Sequence, residues 1–333
     1  MGSILLTYVV PVYNTEAFIT RCLNSLVDQG LQDDEFEVLV VDDGSTDKSR
    51  DIVETVAARH PQVRLLCQHN AGVSAARNLA LDHASGRYVQ FVDSDDYLEA
   101  GSMQALLQRV VDEELDVLVF NYSMVDTAGN RLPSMRNDCW QSTAVASGAD
   151  YLSQHCMTPY VWRFLVRRDY LGKHRFDTSL IACEDGALIA QFLLNAPRVA
   201  HDQADVYRYV NRSDSAMHNP DVEHLRRRIV SQVDAASSID VTIRDFEERT
   251  GTKAPASVAG LRNVYLYFSM TKALTCGYVD QVLNRIRQAG LFPFPCVGPE
   301  ANYVGFKWKV IHRLMMCPGI WKLLSMIYCK IKK

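Results

Sequence analysis

The chain has 333 residues, 48% of them hydrophobic and 22% charged, with a formal net charge of −4. That length can bury a full core as one large domain or two, and the ordinary globular composition excludes a disordered chain. The near-neutral sum hides an asymmetry: residues 301–333 carry seven Lys or Arg and no Asp or Glu, leaving 28 basic against 39 acidic residues in the first 300. A basic tail on an acidic body points to an anionic surface as partner. The nine cysteines are odd in number, scattered and never spaced C-x-x-C, and the start M-G-S-I-L-L-T-Y-V-V lacks a basic n-region. Reduced thiols in a cytoplasmic setting, without a secretory signal, are the expectation.

Leu5–Val10 is an apolar, β-branched run ending at Pro11, and Thr15–Asp28 has helical spacing. Phe36–Val41 is a second strand, followed by D-D-G-S-T-D and a helix over about Asp47–Arg59. A third strand, Val63–Cys67, precedes H-N-A-G and a helix from Ser74 to His83. The fourth, in Tyr88–Asp96, reads Y-V-Q-F-V-D-S-D-D; a helix (Met103–Glu113) and a strand (Asp116–Asn121) follow. Strands alternating with helices of this length mean an α/β protein with a mainly parallel sheet, whose ligands bind outside the carboxyl ends of the strands. Each of the first four ends carries polar residues: Tyr13 and Asn14, Asp42 and Asp43, Asn70, Asp93 and Asp95.

Continued strand alternation puts Asp93 and Asp95 on one side, about 6–7 Å apart. Two carboxylates so placed suit a hard cation, Mg²⁺ or Mn²⁺, and a solvated acidic turn is the other reading. Asp42 and Asp43 before Gly44 read equally as turn and cap residues. Glu184 and Asp185 stand just before an apolar helical run, where by spacing alone they are caps.

P-V-Y-N (11–14), V-D-D-G-S-T-D (41–47), N-A-G-V-S-A-A-R-N (70–78) and F-V-D-S-D-D (91–96) together resemble the successive signatures of family 2 glycosyltransferases with the GT-A fold. The likeness is tight over about residues 4–121 and resumes at V-W-R-F-L-V-R-R-D-Y-L (161–171), Phe176 and C-E-D-G-A-L-I-A-Q-F-L-L (183–194). It implies a Rossmann-like, mainly parallel sheet flanked by helices, with a helical C-terminal region. The expected division is a catalytic domain over 1–220 (nucleotide half 1–121, acceptor half 122–220), helices over 221–292, and a linker and tail over 293–333.

The resemblance also implies roles. Asp43, with Asp42, Pro11 and Tyr13, would hold the nucleobase, and Asn70 and Arg77 would face the nucleotide. Asp93 would meet ribose and metal, Asp95 the metal, and Arg212 and Ser215 the diphosphate. His218 is a weaker candidate for the metal shell, and Asn78 ties backbone together. Asp185 would be the general base, with Glu184 and Trp162 on the acceptor. Where the family often shows W-x-K-L-Y-x-R and E-D-x-x-F, this chain has Arg163-Phe164 and Leu188, which puts acceptor details in question.

The implied reaction is metal-dependent inverting transfer from a nucleotide sugar, UDP-linked, to a hydroxyl of a glycan or lipid-linked glycan in surface polysaccharide synthesis. Two rivals differ in class. A sugar-1-phosphate nucleotidyltransferase wants a Gly-rich phosphate loop where P-V-Y-N stands. A non-catalytic nucleotide-sugar or glycan module would lack the base or the metal pair, and both E-D and D-S-D are present. Over Phe306–Lys333 two short helices flank Pro318-Gly319; Ile320, Leu323, Leu324, Ile327 and Ile331 share a face beside Trp321 and Tyr328. Without 18 uninterrupted apolar residues, this reads as an interfacial anchor on an anionic inner membrane surface, or as a helix docked on the catalytic domain. No nucleic-acid partner is expected.

Overall fold

The structure, a computed structural model, describes residues 4–133, 141–172, 174–212, 221–293, 319–321 and 323. In chain order it runs β1 (Leu6–Val12), α1 (Ile19–Val27), β2 (Phe36–Asp42), α2 (Ser49–Ala57), β3 (Val63–Cys67), α3 (Val73–His83), β4 (Tyr88–Phe91), β5 (Tyr97–Leu98) and α4 (Met103–Asp112). It continues through β6 (Val117–Val125), α5 (Gly148–Gln154), β7 (Phe164–Arg167), α6 (Arg168–Leu171), α7 (Glu184–Asn195) and β8 (Val199–Val210). Three helices follow: α8 (Val222–Thr250), α9 (Ala256–Thr275) and α10 (Val279–Gln288).

Among the described residues, eight strands form one sheet in the order β3-β2-β1-β4-β7-β6-β8-β5. β1 pairs with β2 in parallel over seven residues, Leu6↔Phe36 to Val12↔Asp42, and β3 and β4 extend the parallel half. Every residue of β1 and β2 is buried, which is why both read as continuous apolar runs. The sheet is mixed beyond β4, because β7 runs antiparallel to β4 and β6, and β5 antiparallel to β8. Pro11 is tolerated in a central strand because β4's last partner on β1 is Val9, so no ladder bond is lost.

Helix α1 buries Ile19, Cys22, Leu23 and Leu26, the i, i+3, i+4, i+7 stripe of an amphipathic helix. They join Leu6, Tyr8, Val10 and Val12 of β1 in one core, where each large side chain contributes about 1.5–3 kcal/mol. The helix starts four residues later than its spacing suggests. Thr15 and Glu16 spend their backbone N–H groups on Ser49 Oγ (2.8 Å) and Asp47 Oδ2 (3.0 Å).

The chain groups into two interleaved units: Met1–Ser147 with Tyr160–Thr178 and Ala196–Ser213, and Gly148–Pro159 with Ser179–Asn195 and Asp214–Lys333. The linear reading placed boundaries at 220 and 292; instead α7 groups with the C-terminal helices, against which its long buried face packs. In that second unit, α7 is buried from Gly186 to Ala190 and from Phe192 to Leu194, the pattern of a helix surrounded by protein. α8 packs on α7 and α9. Asp221 caps α8 by accepting from the Glu223 and His224 N–H groups, and Gly251, at φ 68°, ends it.

Most of the proposed membrane-binding stretch, with Ser215, His218, Pro295 and Pro299, lies outside the described residues. One correction is visible. Trp321 is only 3% exposed, so its indole is covered by protein and not free at a headgroup surface, whereas Leu323 is 54% exposed. Among the described residues no helix is long and apolar enough to cross a membrane.

Candidate functional site

In the sheet unit, the loops after β1 and β2 interlock. Asn14, at φ 52°, accepts the Thr46 N–H at Oδ1 (2.8 Å) and donates its own N–H to Ser45 Oγ (3.1 Å). Glu16 accepts from the Lys48 N–H (2.8 Å). Asp42 Oδ1 accepts from the Ser45 N–H (3.1 Å), so this carboxylate shapes the turn. Asp43 reaches the third strand's loop: Oδ1 accepts from Gln68 Nε2 and the Ala71 N–H (both 2.7 Å), and Oδ2 from the Gly72 N–H (2.9 Å). A carboxylate has about four acceptor positions, and donors among the described residues fill three of them. Gly44, at φ 76°, is required here because a Cβ would stand 3.1 Å from the Asn70 nitrogen. Tyr13 (49% exposed) and Asn70 flank these loops at the surface, and Pro11 is buried behind them.

The acidic stretch corrects the alternation argument. β4 ends at Phe91, and Asp93–Asp96 is a tight turn closed by the Asp96 N–H on the Asp93 carbonyl (3.0 Å). The three carboxylates take different partners. Asp93 Oδ1 accepts from Arg77 Nη2 (2.8 Å) and Asp95 Oδ2 pairs with Arg212 Nε (2.9 Å). Asp96, 2% exposed, accepts from the Tyr207 hydroxyl (2.8 Å) and the Val210 N–H (2.7 Å). The same Tyr207 hydroxyl accepts the Asp93 N–H (3.1 Å), so one phenol braces both ends of the turn. Burial first, then the charge of Asp93, pushes the Asp95 carboxyl above the usual carboxylate range; burial and both neighbours push Asp96 well above it.

Hard oxygen donors whose like negative charges push neighbouring carboxyls up suit a divalent cation. Asp93 and Asp95 would hold it, since Asp96 is consumed by the brace. Among the described residues no group of three or more His, Cys, Asp or Glu is arranged to hold a metal. Two carboxylates suit an ion that completes its shell with water and phosphate oxygens.

Two expected contacts are altered. Arg77 is 3% exposed, lies over the Phe176 ring (5.1 Å) and reaches Asp93, so it supports the acidic turn instead of standing open to a nucleotide. Trp162 is corrected from sugar platform to core. Its ring stacks on Tyr207 (4.2 Å) and Tyr160 (5.1 Å), and 3% exposure leaves no face for a sugar. Tyr207, the partner of that stack, is a fully buried residue of β8. Asn78 does tie backbone, donating to the Phe176 carbonyl (2.9 Å) and accepting its N–H (3.0 Å). The Asp96–Tyr207 brace and Gln68 have no local signal, because their partners are 111 and 25 residues away.

In the helical unit, Glu184 and Asp185 occupy the first turn of α7, half-buried, at the positive end of the helix dipole. The residue before them, Cys183, takes φ 65°. Burial first and then Glu184 push its thiol up to about 12, so it is no nucleophile.

The sequence model described as Glycosyl transferase family 2 matches residues 7–175. The chain is 32% identical over 229 residues to the uncharacterized glycosyltransferase YibD of Escherichia coli K12, covering 67% of this chain and 64% of that protein. It is 30% identical over 247 residues to the poly(ribitol-phosphate) beta-N-acetylglucosaminyltransferase TarS of Staphylococcus aureus Mu50, covering 72% of this chain and 41% of that one. It thus spans less than two thirds of either relative's length. Residues 1–349 of TarS, solved with UDP-GlcNAc, superpose with a TM-score of 0.60 at 20% identity, over 98% of this chain and 92% of that chain. The mannosyltransferase PcManGT of Pyrobaculum calidifontis, solved with GDP-Man and Mn²⁺, gives 0.53 at 18% identity, over 100% and 89%. These likenesses are of fold, and the fold is GT-A.

Proposed function

We propose that this chain, which belongs to glycosyl transferase family 2, moves a sugar from a UDP-linked donor to a hydroxyl of a glycan or lipid-linked glycan during surface polysaccharide synthesis. The observation that carries the reading is the edge of the parallel half-sheet, where Asp43 follows β2 and Asp93 and Asp95 follow β4, the two strands that flank β1. Support for the donor comes from TarS, a relative named for N-acetylglucosamine transfer whose structure holds UDP-GlcNAc.

The fourth acceptor position of Asp43 suits a uracil imide N–H, with Tyr13, Pro11, Asp42 and Asn70 around the base. Asp93 and Asp95 would hold Mg²⁺ or Mn²⁺, which when bound offsets the negative charge of a departing diphosphate. Arg212 and Ser215 add positive charge and a hydrogen-bond donor to the same leaving group, and Arg77 fixes Asp93. Asp185 takes the proton of the acceptor hydroxyl as its oxygen attacks the anomeric carbon. The bond from that carbon to the diphosphate oxygen breaks, UDP leaves and the configuration inverts. The contribution of such a base depends on its positioning. Glu184 orients the acceptor.

The test is UDP release from UDP-glucose, UDP-galactose, UDP-GlcNAc and UDP-GalNAc by the full chain, with and without Mn²⁺ and with membrane-derived glycan acceptors. Acceptor-stimulated release from one donor, lost in chelator, is expected. Full activity in chelator sinks the metal assignment, and activity confined to a GDP-sugar sinks the donor.

A further inference from the structure

The first turn of α7 is held from outside by two buried hydroxyls on different helices. Ser231 of α8, 4% exposed, accepts the backbone N–H groups of Ile181 (3.0 Å) and Ala182 (3.1 Å) and donates to the Ala182 carbonyl (3.0 Å). A serine hydroxyl has one proton and two lone pairs, so this one is fully spent on the two residues that lead into Cys183. Tyr265 of α9, 5% exposed, holds the other side. Its hydroxyl donates to the Cys183 thiol. It also stands where a side chain on residue 186 would be: a Cβ on Gly186 would lie 2.0 Å from that oxygen and 2.9 Å from the ring carbon bearing it. Gly186 directly follows the acidic pair, so the glycine is there for space, not for backbone freedom.

Glu184 and Asp185 are thereby bracketed. Before them the chain is pinned to α8 through Ser231, and Cys183 at φ 65° turns it into the helix. After them the chain is pressed onto the Tyr265 hydroxyl. A helix that needed only a cap would gain nothing from this, since capping is satisfied locally by the side chains of the first turn. What two long-range hydroxyls supply is a fixed direction for the first turn. A general base needs that, because its rate advantage depends on geometry.

We infer that Ser231 and Tyr265 are positioning residues that aim the acidic pair at 184–185. On this inference α8 and α9, which lie past the family-matched residues 7–175, are part of the catalytic apparatus. It rests on the reading of Asp185 as the base. In this chain the geometry takes a form set by Gly186 and Tyr265 together, and neither residue can be exchanged for a larger one alone.

The test compares full-length Tyr265→Phe, Ser231→Ala, Gly186→Ala and Asp185→Asn. The readouts are UDP release from whichever of the four UDP-sugars is fastest, donor KM, and thermal midpoint. Tyr265→Phe keeps the ring and removes only the hydroxyl, so it is expected to fold. Its kcat should fall by about five- to a hundredfold, as misplacement of a reacting group does, with donor KM within about twofold of wild type. Ser231→Ala and Gly186→Ala should show the same split, more strongly. If Ser231→Ala or Gly186→Ala fails to fold, Tyr265→Phe decides. A folded Tyr265→Phe with wild-type kcat, or with donor KM changed and kcat intact, overturns the inference. Asp185→Asn separates the two readings: if it retains full turnover, the base assignment falls and this inference with it. If it abolishes turnover while Tyr265→Phe does not, only the positioning role falls.

Discussion

Each carboxylate at the sheet edge has its own environment. Asp96 is used up by Tyr207 and Val210, Asp93 is steadied by Arg77, and Asp95 is the half-buried one, paired with Arg212, whose ionisation burial and the Asp93 charge oppose. Its folded carboxyl value lies above the unfolded one. The cost of ionising it is therefore absent below the ordinary carboxylate range and complete above the raised value. Asp95→Asn should raise the thermal midpoint at pH 8, leave it nearly unchanged at pH 3, and lower transfer by about 10²-fold or more. A variant destabilised at pH 8 contradicts this account. Asp185→Asn makes a contrasting case, because the amide keeps a capping oxygen and loses only the charge. As a mere cap the change costs at most about 1–2 kcal/mol and leaves turnover intact. As the base it lowers turnover by about 10²–10⁴ with the fold and donor affinity preserved.

Among the elements, β4 is set by how closely its approach passes β1. Gly86 donates its N–H to Thr7 Oγ1 (2.9 Å), and a Cβ there would lie 2.5 Å from the Thr7 nitrogen and 2.6 Å from the Leu6 carbonyl carbon. Thr7 in turn donates to Glu37 Oε1 (2.8 Å), which also takes the Ser85 N–H (2.6 Å). This buried junction fixes the height of β4 and hence where the acidic turn emerges. Gly86→Ala should cost about 1–3 kcal/mol or more, since backbone atoms cannot move aside as a side-chain end can. A denaturant melt that finds the midpoint unchanged would show that β1 and β4 can separate. The helices α7 and α8 obey the same logic in their unit, with Ser231 as the junction.

Across the whole chain, the charge asymmetry belongs to no single element. Seven basic and no acidic residues in 301–333 follow a body of net −11. Near an anionic leaflet each cation contributes about 1 kcal/mol. Truncation after Pro299 should release the protein from anionic liposomes at low salt. High salt should mimic the cut only in part, because it screens charge and leaves apolar burial intact. The burial of Trp321 moves weight toward a docked helix, which predicts instead that truncation lowers the thermal midpoint. Co-sedimentation with liposomes and a melt of the same truncated protein distinguish the two.

The local sequence determined the elements of the parallel half and the polar residues that end its strands, because period and β-branching act within a few residues. Four short motifs in order were enough to identify the family. Tertiary structure alone decided that β7 runs antiparallel into the sheet and that the fourth strand stops at Phe91. It alone showed Trp162 stacked on Tyr207 of a distant strand and Arg77 aimed at Asp93. The reason is the same each time. A residue such as Tyr207 meets Asp96 across 111 positions of sequence, and a contact of that span leaves no period or spacing in the chain; only closure of the fold creates it.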